Sequence, residues 1–132
     1  MATQPLSKTL LKWAVPLVLV AFIGIAMLSL PGSFNEDLSV IGQGRRVVVL
    51  VHDHNYVNST ALMEALDTVR SEFADRIDFR VADVLKPDGK RFADAHQADP
   101  VTLLLFSPDG VKQQTLVGVH PPSSLRRLLA DF

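Results

Sequence analysis

Five consecutive apolar residues, Val47-Val48-Val49-Leu50-Val51, four of them β-branched, place the tightest constraint on how this chain folds. Side chains of a strand alternate between two faces, so a strand without a polar position has to be covered on both. That requires a sheet with helices on each side. The run closes in His52-Asp53-His54-Asn55, and helical spacing takes over near Ser59. A strand-to-helix junction gathers backbone N–H groups and the positive end of a helix dipole, which favours anions and thiolates. This chain places Tyr56, Val57, Asn58 and Ser59 there, and it contains no cysteine. Disulfides, thiol catalysis, thiolate metal sites and iron–sulfur clusters are therefore excluded.

Beyond the junction the pattern is regular. Leu62, Leu66, Val69 and Phe73 form an apolar helical stripe, with Asn58 or Ser59 as the expected N-cap. Asp75-Arg76 is a turn, and Ile77, Phe79 and Val81 alternate with polar residues as a second strand. Lys86 to Gly89 reads as a turn before a short helix over Arg91 to Gln97. Val101 to Phe106 is a third, buried strand. Ser107-Pro108-Asp109-Gly110 turns it into a hairpin with Val111 to Val119, and Pro121-Pro122-Ser123 opens a last helix. The order is βαβαββα, with a right-handed crossover in the first βαβ unit. Leu66, Val69, Phe79, Leu104 and Leu128 are the expected core.

Ahead of this domain, Trp13 to Leu30 is an 18-residue stretch without charge. At 1.5 Å per residue it spans about 27 Å, enough for a bilayer core. A cleaved signal peptide would end in small residues, and the exit Met27-Leu28-Ser29-Leu30-Pro31 lacks them; a buried core helix would show a polar face. Residues 13–30 are expected to be a single-pass transmembrane helix. Lys8 and Lys12 before it, with Glu36 and Asp37 after it, put residues 1–12 in the cytoplasm and the domain in the periplasm or outside the plasma membrane. Residues 31–44, rich in Pro, Gly, Ser and Asn, read as a linker, with Leu38, Val40 and Ile41 as a short edge strand. The domain covers 45–132. A net charge of −1 gives no electrostatic drive toward nucleic acid.

The order of elements, a proline before the third strand and a glycine before the last helix resemble the thioredoxin fold. Ala65 to Phe73 with Ile77 to Asp83 look like the helix and central strand of that family. Thr102 to Phe106 with Asp109-Gly110, and Val117-Gly118 with Leu125, are similar to its closing elements. The resemblance implies a three-layer sandwich. It puts the family's Cys-x-x-Cys at Tyr56 to Ser59, its flanking tryptophans at His52 and Asn55, and its buried aspartate at Leu50. Its cis-proline falls at Pro100, with Val101 as an inserted residue and a cis Asp99–Pro100 bond implied. The redox residues are gone apart from the proline, and a hydroxyl cannot replace the attacking thiolate.

The expected function is therefore binding: a redox-inactive, non-enzymatic accessory subunit or assembly factor of a membrane complex, without cofactor. Tyr56, Asn58 and Pro100 form the candidate partner surface, since exposed aromatics anchor interfaces. The competing reading is a copper or zinc module in which His52 and His54 lie on one side of an extended strand, with His96 or His120 completing the site. A third is a small ligand in the vacated groove. Ser59 with His54 and Asp53 lacks the elbow and oxyanion donors of a hydrolytic triad, so N-capping is its expected role. Arg45-Arg46 and Arg126-Arg127 read as solvated faces within reach of lipid headgroups.

Overall fold

The computed structural model describes residues 8–29 and 33–132, with side chains described for 12–25 and from 33 onward. Residues 1–7, most of the expected cytoplasmic segment, lie outside the described residues, as do Leu30 at the end of the expected span and Pro31 and Gly32 of the linker. The chain divides into two units, Met1–Ser33 and Phe34–Phe132.

The first unit contains helix α1 (Lys8–Ser29). Pro16 lies inside it, beyond the first turn, where its ring removes a helical hydrogen bond. Among the described residues no helix is long and apolar enough to cross a membrane. The described side chains of α1 cover residues 12–25, about 21 Å of helix, against a hydrocarbon core of about 30 Å.

The second unit is built on β1 (Arg46–His52), β2 (Ile77–Asp83), β3 (Thr102–Phe106) and β4 (Lys112–Val117). The strand order is β2-β1-β3-β4, with β1 parallel to β2 and the other pairs antiparallel. Helices α2 (Val57–Arg70), α3 (Pro87–Ala95) and α4 (Pro122–Asp131) complete the βαβαββα order. Val48 and Leu50 point to one face, where they pack with Leu62, Leu66, Val69, Leu103, Leu105, Leu125 and Leu129. Val47, Val49 and Val51 point to the other, with Leu104, Phe106, Ala82 and Ala93 of α3. Both faces of β1 are thus covered, as its composition requires. Leu128 is only half-buried; Leu125 and Leu129 are the positions of α4 that reach the core.

Three local expectations are corrected. Helix α3 begins at Pro87, not Arg91, because proline suits the first helical position, where no N–H is required. Leu38–Val40 is a 3-10 helix capped by Asp37, whose carboxylate accepts from Ser39 N–H at 3.0 Å, and not an edge strand. The N-cap of α2 is Tyr56, without a side-chain capping bond; Asn58 and Ser59 lie within the first turn.

Residues 34–44, read above as linker, lie along the domain. The Arg70 guanidinium sits 3.9 Å from the centre of the Phe34 ring. Asn35 bridges Arg80 in parallel, its carbonyl accepting from Val81 N–H at 3.0 Å. Leu38, Val40 and Ile41 pack on the α3 face. Gly44 N–H donates to the Pro108 carbonyl at 3.1 Å, and a Cβ on Gly110 would come within 3.0 Å of Gly42 Cα. The segment straps the outer edge of β2 to the β3–β4 turn.

Gly89 sets how closely α3 approaches β2: a Cβ there would overlap the backbone of Asp83. Gly89→Ala should therefore cost at least as much as an overpacked core substitution, about 1–3 kcal/mol, whereas Leu66→Ala should cost about 2–5 kcal/mol through a cavity. Equilibrium denaturation of both variants checks this. A neutral Gly89→Ala would mean that α3 docks less tightly than described.

Candidate functional site

The C-terminal end of β1 delivers His52 and Asp53, both 8% exposed, against Ser59 in the first turn of α2, which is fully buried. The Ser59 hydroxyl oxygen accepts from Asp53 N–H at 3.0 Å and lies 2.8 Å from His52 Nδ1. A hydroxyl can both donate and accept, so this contact suits either tautomer of the imidazole. Asp53 closes the turn: its carboxylate accepts from Asn55 N–H at 2.9 Å and its carbonyl from Tyr56 N–H at 3.1 Å. The Tyr56 carbonyl then receives Ser59 N–H at 3.0 Å and Thr60 N–H at 3.2 Å, starting the helix. A polar knot has taken the place that the family resemblance gives to the thiols.

Sequence reasoning gave Ser59 the wrong job. Positions 59, 62, 66, 69 and 73 share one helical stripe, so Ser59 faces inward with Leu62 and Leu66. That spacing was the available signal. Full burial also removes Ser59 as a nucleophile, since no substrate reaches it.

The sequence-derived partner residues fall on the surface at this end of the sheet. Tyr56 is 57% exposed and Val57 84%; Asn58 is exposed and Pro100 half-buried. The implied cis bond is not found: among the described residues no peptide is cis, and Val101 instead takes a left-handed φ of 67°. The inserted residue turns the chain. Val101 N–H donates to the Val51 carbonyl at 3.0 Å and its carbonyl accepts from Gly118 N–H at 2.8 Å. Its backbone is committed within the sheet and offers no free edge to an extended partner.

The histidines do not converge. β1 ends at His52, so the period-two placement fails, and His54 lies exposed in the following turn. His96 packs against Phe92 and Phe106, with ring centres at 4.5 and 5.3 Å, and Phe106 pairs with Val47 at the opposite end of β1. His120 Nε2 lies 3.3 Å from the Val117 carbonyl. Among the described residues no group of three His, Asp or Glu side chains is placed to hold a metal. Two of the four arginines read above as solvated faces are engaged in ion pairs: Arg126 grips Glu72 with two nitrogens, and Arg45 holds Asp78 and the Ala74 carbonyl.

Burial pushes His52 below the ordinary histidine value of 6.5, against the pull of the Asp83 carboxylate beside it, and burial does the same to His96. A histidine kept neutral in the folded state takes up protons more readily when unfolded, so stability falls as pH drops below 6.5. Chemical denaturation at pH 7.5 and pH 5.5 should show the loss, and His52→Asn should reduce its size. A stability independent of pH over that range would contradict the buried neutral imidazole.

No family model matches the chain, and no curated protein matches it. Solved structures do. Thioredoxin O2 from Arabidopsis thaliana superposes with a TM-score of 0.60 at 16% identity, over 71% of this chain and 84% of its own. A Malassezia sympodialis thioredoxin gives 0.61 at 22% identity, over 76% and 90%. A chain from a structure of the yeast mitochondrial 1-Cys peroxiredoxin thiol-resolving system gives 0.63 at 19% identity, over 76% and 96%. The domain has a thioredoxin-like fold.

Proposed function

We propose that this chain is a membrane-tethered binding protein: a redox-inactive thioredoxin-like domain that docks a protein partner, as an accessory subunit or assembly factor of a membrane complex. The observation that carries the reading is the junction of β1 and α2. It is held shut from within by His52, Asp53 and Ser59, while Tyr56 and Val57 stand out at its tip. Burial of Ser59 withdraws its hydroxyl from the surface. Two adjacent apolar side chains on a rigid turn are an economical protein anchor. The role carries no enzymatic step and needs no cofactor.

The tether rests on the uncharged stretch Trp13 to Leu30 and the lysines before it. The large apolar side chains of α1, from Trp13 to Ile25, are each at least half exposed, so the helix has no face suited to water. A lipid bilayer satisfies it, with residues 1–12 in the cytoplasm and the domain in the periplasm or outside the plasma membrane.

Tyr56→Ala should leave the thermal midpoint unchanged and weaken capture of the partner from detergent-solubilised membranes by about thirtyfold, the equivalent of about 2 kcal/mol. His54→Ala, exposed on the same turn, should spare both properties. Equal capture by wild type and Tyr56→Ala overturns the docking surface. Release of the full chain by alkaline carbonate overturns the tether.

A further inference from the structure

The two edges of the sheet are treated differently. The outer edge of β2 is guarded by the strap, through Asn35 on Val81 and the Arg80 guanidinium on the Asp37 carbonyl at 3.0 Å. β4 forms the other edge; five of its six residues are exposed and Leu116 is half-buried. Edge strands are usually protected by charge, proline or a bulge. Here the bulge and the only charge, Lys112, sit together at one end. Gln113-Gln114-Thr115-Leu116-Val117 contains no charge, proline or glycine.

The direction of the open groups follows from the β3 ladder. Gly118 N–H donates to the Val101 carbonyl, and the Val111 carbonyl accepts from Ser107 N–H on the far side of the bulge. With period two, Leu116 and Gln114 turn their backbone groups toward β3, and Thr115 and Val117 turn theirs outward. Val117 is 72% exposed and Val119 47%.

We propose that β4 pairs with β4 of a second copy of this chain, antiparallel about a twofold axis at Leu116, to make one continuous sheet. Thr115 then exchanges both backbone bonds with Val117 of the other copy, and Val117 with its Thr115, clear of the bulge. Leu116 meets its counterpart on the axis, with Cα atoms about 4.5 Å apart as in a pair without direct hydrogen bonds. Val119 comes to lie opposite Gln113. Lys112 falls opposite His120, far from its own copy, so the one charge of β4 does not meet its counterpart. An edge that is charge-free from Gln113 to Val117 and can pair with itself in this way selects a second copy over a charged partner segment. The His120 ring near the Val117 carbonyl, at 3.3 Å, is the one described side chain bonded to this edge and swings aside on pairing. One strand buries less than the roughly 800 Å² per partner of a standard interface, so the dimer is concentration-dependent.

The absence of cysteine makes a direct test clean. In the full chain, purified in mild detergent, Leu116→Cys should oxidise to a covalent dimer at least tenfold faster than Gln114→Cys. In this register the two thiols introduced at position 116 meet within disulfide range, whereas those at 114 are about 13 Å apart along the strands. Sedimentation of the cysteine-free chain should show a monomer–dimer equilibrium that Thr115→Pro abolishes. Proline is tolerated at an outward-facing edge position, so the variant should keep its melting temperature. Val117→Lys gives the same test should Thr115→Pro unfold. Equal oxidation at 114 and 116, or a chain that stays monomeric throughout, overturns the proposal. A dimer that survives both Thr115→Pro and Val117→Lys also overturns it, and places self-association outside β4. Tyr56 lies outside β4, so loss of partner capture on Tyr56→Ala is read on a separate variant and decided separately.

Discussion

Everything in this domain is arranged around a strand that has no side for water. β1 pairs in parallel with β2 on one edge and antiparallel with β3 on the other, so its backbone groups are satisfied laterally. Its side chains must then be satisfied above and below. Helices α2 and α4 close over Val48 and Leu50, while α3 and the strap close over Val47, Val49 and Val51. Each layer has a local device for close approach. Gly89 lets α3 sit against Asp83, and the Arg76 guanidinium reaches the carbonyls of Leu129 and Phe132 at 2.7 and 3.1 Å, tying the end of α4 to the start of β2. Neither device adds apolar area; both allow the apolar area already present to be covered.

The layers were legible in the sequence because they follow from periodicity. An unbroken run, an alternating run and a helical stripe leave few sheet orders compatible with short right-handed connections. What could not be read depended on contacts between residues distant in the chain. The strap has no period of its own; Phe34 finds its place by meeting Arg70, and Gly42 by meeting Gly110. Pro87 was misread for a different reason. Lys-Pro-Asp-Gly has turn composition, yet the same proline suits the first position of a helix, and docking of Gly89 on Asp83 selects the helix. Leu128 was expected in the core, yet its neighbour Leu129, one position on, is the residue that α4 turns fully inward.

At the junction, residue identity and residue role came apart. Ser59 next to a helix start suggests a cap, but a cap must lie outside the first turn, and Ser59 lies within it on the inward face. Its hydroxyl therefore bonds backward across seven residues to His52 and to the amide of Asp53. Val101 shows the same limit. An inserted residue beside a proline can be seen in a sequence, but the left-handed turn that absorbs it, with its amide on Val51 and its carbonyl on Gly118, is a property of the sheet it joins.

These arrangements bear on what this end of the fold would offer the partner proposed above. A reactive junction needs a group that is accessible and destabilised in its resting state. Here His52, Asp53 and Ser59 are inward-facing and bonded to one another, and burial pushes His52 below the ordinary histidine value. The hydrogen bonds that would activate a nucleophile are used instead to fix the turn that carries Tyr56. A turn fixed from inside presents its apolar tip with little conformational entropy left to lose, and that lost entropy is the usual cost of docking through a loop. The shape of the turn that carries Tyr56 and the withdrawal of Ser59 from the surface go together, since both follow from the inward contacts of Ser59 with His52 and Asp53.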